Sequence, residues 1–81
     1  MGRLFKEVDV ECYAGHRGQE TPRAVVLDGK RFEVRSILSR KRVFDPADGS
    51  RREVWRCRLD DGRAVTATLL ENGTWRVSQE S

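Results

Sequence analysis

RREVWRCRLDDGRAVTATLLENGTWRVS, residues 51–78, alternates apolar and polar side chains through three runs separated by Asp61-Gly62 and Asn72-Gly73. A period of two puts Trp55, Cys57 and Leu59 on one side of a strand and Val54, Arg56 and Arg58 on the other. Asp-Gly or Asn-Gly between such runs marks a hairpin, because these residues tolerate the positive φ that a tight reversal needs. The register across each turn then follows from matching faces. A two-residue turn at Asp61-Gly62 would set Cys57 against Thr66 and Arg58 against Val65, mixing the apolar and polar sides. A three-residue loop, Asp60-Asp61-Gly62, with Gly62 in the left-handed conformation as a bulge residue, pairs Cys57 with Val65 and Trp55 with Ala67 instead. The same test predicts a Glu71-Asn72-Gly73 loop, with Leu69 against Trp75 and Ala67 against Val77. Positive φ is expected at both glycines. One face becomes a continuous apolar band through Trp55, Cys57, Leu59, Val65, Ala67, Leu69, Trp75 and Val77. Its reverse carries Val54, Arg56, Arg58, Ala64, Thr66, Thr68, Thr74, Arg76 and Ser78.

Upstream, Val8, Val10 and Cys12 alternate with Asp9, Glu11 and Tyr13 as a further strand. The pattern lapses after Tyr13, and Gly15, Gly18 and Pro22 mark a flexible loop over about residues 14–22. A hairpin follows, from Arg23 to Leu27 and from Lys30 to Leu38, turning at Asp28-Gly29. Phe32 and Val34 share one parity, but Ile37 and Leu38 are both apolar, so a bulge or sharp bend is expected near Ser36. Arg40 to Phe44 is basic and then apolar, and residues 45–50 form a turn by composition. Residues 1–6 and 79–81 are expected to fray. No segment has a helical period long enough to cover the apolar band, so the sheet must cover itself. The expected fold is all-β: residues 1–81 as a single small domain, an antiparallel meander of about six strands curled into a small SH3-like barrel or sandwich, with the bend near Ser36 as a corner.

A chain of 81 residues has little core to spare for a deep enzyme cleft, and a non-enzymatic binding module is the expectation. Met1 to Val10 lacks the apolar run of a secretory signal, and nothing approaches membrane-spanning length, which points to a cytoplasmic protein without a membrane partner. Two cysteines make no disulfide framework, so both are read as reduced. Cys12, His16 and Cys57 offer three soft ligands and no Cys-x-x-Cys knuckle, too little for structural zinc. A Cys12–His16 nucleophilic pair fails on parity, because Cys12 lies on the apolar side of its strand. No cofactor is expected.

The net charge of +3 comes from sixteen basic and thirteen acidic residues, and thirteen of the sixteen are Arg. The polar side of the last hairpins gathers Arg56, Arg58 and Arg76 beside Thr66 and Thr68, with Arg35 extending the patch from the first hairpin and Arg31 beyond it, interrupted by Glu33. Guanidinium groups beside hydroxyls suit contacts to a nucleic-acid backbone. Aromatic interleaving is missing, since Trp55, Trp75 and Phe32 all have inward parity. The plain alternative is a solvated β face whose arginines pair with Glu33 or Glu53. A different kind of function, protein interaction or self-assembly through an exposed sheet edge, is the runner-up, with the chain monomeric or a homodimer.

Val10-Glu11-Cys12-Tyr13-Ala14-Gly15, Thr21-Pro22-Arg23, Gly29-Lys30-Arg31-Phe32-Glu33-Val34, Ile37-Leu38, Asp60-Asp61-Gly62 and Trp75 together resemble a group of short bacterial proteins without an established activity. The resemblance runs over about residues 8–77 and is most specific at Glu11 to Gly15. It implies a stand-alone bacterial cytosolic domain and nothing catalytic. The chain departs from the group's pattern near Arg40 to Arg42 and over residues 63–70, both less aromatic than the group.

Overall fold

The computed structural model describes residues 3–5, 7–13 and 21–79. Seven strands are present: β1 (Arg3–Leu4), β2 (Val8–Tyr13), β3 (Thr21–Leu27), β4 (Lys30–Phe44), β5 (Arg51–Leu59), β6 (Ala64–Leu70) and β7 (Trp75–Gln79). Every pairing is antiparallel, in the order β1-β7-β6-β5-β4-β3-β2. Thus β2 to β7 form a meander, and β1 returns to the free side of β7. The sheet curls into a half-barrel, bringing β2 against β7 from the other end of the meander. Curling dries the apolar band without helices, and Trp55, Cys57, Leu59, Val65, Ala67 and Val77 are at most 1% exposed inside it. Val10, Val25, Leu27 and Phe32 close the core from the other half.

The hairpin turns follow their side chains. Leu27 pairs with Lys30 across a two-residue turn in which Asp28 (φ 50°) and Gly29 (φ 87°) are both left-handed. Both later turns are three-residue loops, as face matching predicts. Cys57 pairs with Val65 and Trp55 with Ala67. Leu69 pairs with Trp75 and Ala67 with Val77. Gly62 and Gly73 have φ of 93° and 88°, and their N–H groups donate to the carbonyls of Leu59 and Leu70 at 3.0 and 2.9 Å. Asp61 and Asn72 complete the loops by accepting the backbone N–H of Arg63 and Thr74.

β4 is the corner of the half-barrel. It is paired with β3 over Lys30 to Glu33 and with β5 from Val34 to Phe44. Two bulges lie in the second stretch, where Arg35 and Leu38 are extra residues relative to β5. The bend expected near Ser36 is therefore present, and Arg40 to Phe44 prolong the same strand. Three expected boundaries are corrected. Residues 21 and 22 are not loop: Thr21 pairs with Tyr13 and buried Pro22 with Cys12, while residues 14–20 lie outside the described ones. The amino-terminal segment is not wholly frayed, because Arg3 pairs with Gln79 and Leu4 with Ser78. Gln79 is likewise not frayed, and it also pairs with Val65 of β6.

Candidate nucleic-acid interface

The outer side of β4 to β7 is set by the ladders. Paired residues project to the same face, so one row runs Lys41, Val54, Thr68, Arg76 and the next runs Ser39, Arg56, Thr66, Ser78. Ser36, Arg58 and Ala64 form a third row. Arg52 lies four residues before Arg56 on β5 and shares its face, opposite Val43 and Leu70. Among the described residues, these rows contain no Asp or Glu. Neighbouring strands are about 4.8 Å apart, so Lys41 and Arg76 lie about 14 Å apart across the sheet. Arg56 and Arg58 are about 7 Å apart along β5.

Arg56, Arg58 and Arg76 are exposed on this one face. The Arg58 guanidinium donates to the Gly62 carbonyl at 2.8 Å, which anchors its stem across the turn without neutralising it. Arg35 is the exposed extra residue of the first bulge, beside Ser36 opposite Arg58. Lys41 and Arg52 belong to the same surface and were missing from the sequence reading. Parity along β5 would have found Arg52. Lys41 needed the count of two bulges, which no local pattern supplies. Near Arg52, Asp48 is held below the usual carboxylate range, first by the Ser50 hydroxyl, then by the Ser50 N–H at 2.8 Å, with the Arg52 charge adding to both.

Arg31 does not extend the patch. Its guanidinium donates to both carboxylate oxygens of Glu11, at 2.8 and 3.3 Å, and lies 3.4 Å from Glu33. The hydrogen bond from Arg31 is the chief reason the Glu11 carboxyl sits below its ordinary range. Glu53 does engage arginines, but those of the inner face: Arg40 at 3.2 Å and Arg42 at 3.4 Å. The rings of Phe32, Trp55 and Trp75 are also inward. Trp55 and Trp75 lie 5.3 Å apart at 41°, with Arg40 over Trp55 at 5.7 Å and Arg63 over Phe32 at 4.9 Å. Phe44, by contrast, is 58% exposed, beside an open recess of about 600 Å³ at the end of the half-barrel.

Other candidate chemistry has little geometry behind it. Cys57 is fully buried, and burial pushes its thiol up to about 11, so it stays protonated at neutral pH. Cys12 is half-buried at the edge of the core, and His16 lies outside the described residues. Among the described residues, no three His, Cys, Asp or Glu side chains gather as a metal site. Among the described residues, no helix is long and apolar enough to cross a membrane. Comparisons with protein-family models, with curated proteins and with solved structures returned no match to this chain.

Proposed function

We propose that the protein is a non-enzymatic module that binds the phosphate backbone of nucleic acid through the outer face of β4 to β7, with Arg56, Arg58 and Arg76 at its centre and Arg35, Lys41 and Arg52 around them. The observation that carries the reading is the set of rows, free of acids among the described residues, on which these cations lie among Ser and Thr hydroxyls. Guanidinium groups fixed on a sheet lose little freedom on meeting phosphate oxygens, and hydroxyls add neutral hydrogen bonds at the same surface. With no aromatic ring on this face among the described residues, contacts go to the backbone and sequence preference is weak. A bacterial cytosolic setting, with both thiols reduced, fits the same reading.

The test is a titration of labelled single- and double-stranded oligonucleotides at low salt and again at about 0.2 M, where backbone binding weakens steeply as counterions are no longer released at a profit. Replacing Arg56 and Arg76 by Gln is expected to lower the slope of log K against log salt by about 2. Absence of binding at low salt removes the proposal.

A further inference from the structure

The second half of β4 has a ladder on one side only. From Val34 to Phe44 it pairs with β5, whereas β3 leaves it after Glu33, and among the described residues no strand occupies its other side. Residues 35–44, Arg-Ser-Ile-Leu-Ser-Arg-Lys-Arg-Val-Phe, therefore present main-chain N–H and C=O groups along an open edge. Such an edge is a ready template for an added strand. Its side chains are exposed at every position except Val43, Ile37 and Leu38 to 38% and 40% and Phe44 to 58%.

Charge decides the occupant. The segment holds four cations, Arg35, Arg40, Lys41 and Arg42, and no acid. Pairing with the same edge of a second copy would bring eight cations, four from each chain, into one ladder with no carboxylate between the two edge strands, and like charges across a ladder destabilise it. On the inner face, among the described residues, Glu53 alone faces both Arg40 and Arg42, so two guanidinium groups share one carboxylate. Apolar side chains flank them, Phe44 at one end and Ile37 at the other.

We infer that the open edge of β4 from Arg35 to Phe44 accepts an extended acidic segment of another protein as an added antiparallel strand. The incoming strand places carboxylates opposite Arg40 and Arg42 and apolar residues opposite Ile37 and Phe44, supplying the negative charge that Glu53 provides only once. This site shares Arg35 and Lys41 with the nucleic-acid face but not Arg56, Arg58 or Arg76, and it stands if that reading fails.

A capped ten-residue peptide, Thr-Val-Thr-Glu-Thr-Glu-Thr-Thr-Val-Thr, which in antiparallel register sets Val against Phe44 and Ile37 and Glu against Arg42 and Arg40, serves as the probe, titrated against the whole chain by fluorescence anisotropy with backbone amide spectra recorded in parallel. Saturable binding is expected, with shifts and slowed hydrogen exchange confined to residues 35–44. The same peptide methylated at every second backbone nitrogen is made in both phases. One phase, with its charge intact but its edge donors blocked, is expected to bind about tenfold more weakly or worse, because main-chain hydrogen bonds carry strand addition. A Lys-for-Glu peptide should not bind. The Arg56→Gln/Arg76→Gln variant should bind the acidic peptide as the parent chain does, which separates this site from the centre of the oligonucleotide surface. Equal binding by both methylated phases, shifts centred on Arg56 and Arg76, or self-association through β4 would each overturn the inference.

Discussion

Two outer surfaces of the same half-barrel carry arginine, and their neighbours differ. On the β2–β3–β4 side, Arg31 lies within 3.4 Å of carboxylates from Glu11 and Glu33, and Asp9 is on the same face one row from Glu11. On the β4–β7 side, the cross-strand neighbours of Arg56 and Arg76 are Thr66, Ser39 and Thr68. An arginine count treats both surfaces alike. The ladder distinguishes them, because a residue's electrostatic surroundings on a sheet are set by who sits opposite rather than by who is adjacent in sequence.

The contrast can be broken most forcefully by reversing charge on the basic side. Arg56→Glu with Arg76→Glu changes four units of charge and is expected to weaken low-salt oligonucleotide binding about a hundredfold or more, with the unfolding midpoint little moved. Arg31→Glu, on the paired side, should leave binding close to the parent value; equal loss from both changes would mean that net charge alone matters. A subtler change adds a single acid to the basic side. Thr68→Glu puts a carboxylate directly opposite Arg76 and diagonal to Arg56, and about a five- to tenfold loss is expected in the same titration. The converse, Glu11→Gln with Glu33→Gln, frees Arg31 and should tighten binding about two- to threefold, detectable only at low salt.

The smallest effect lies behind the basic face, on the same strand. Cys57 points inward between Arg56 and Arg58, and its folded pKa of about 11 exceeds the ordinary 9.0. The folded state therefore keeps this proton longer than the unfolded chain does. Its contribution is full below pH 9 and fades as the pH rises toward 11. Urea unfolding of the parent chain should lose stability over that window slightly faster than Cys57→Ala does. Parallel pH profiles for the two would contradict the burial of this thiol.

What the sequence disclosed depended on the length scale of the signal. The loops at Gly62 and Gly73 were legible because a one-residue error in register would have turned every apolar side chain of a hairpin outward. Arg56, Arg58 and Arg76 were placed on one face by the same constraint. β1 was not legible, since two residues have no period and pair with β7 only through the finished fold. Nor was the neutralisation of Arg31, which rests on Glu11 twenty residues away across β3. The open edge of β4 was hidden for a related reason: it exists because β3 parts from β4 after Glu33, a consequence of curling rather than of local composition.

The paired bulges of β4 have a consequence for how such a chain can change length. Arg35 and Leu38 each shift the register with β5 by one, so together they return Lys41 to the outer face and Arg40 and Arg42 to the inner one. Deleting either residue alone would swap those assignments along the rest of the strand, stripping Arg40 from Trp55 and moving two guanidinium groups to the outside. Deleting both would preserve every side. Between Val34 and Ser39, lineages of this protein are therefore expected to gain or lose residues in twos, so that insertions and deletions there record the fold more faithfully than substitutions do.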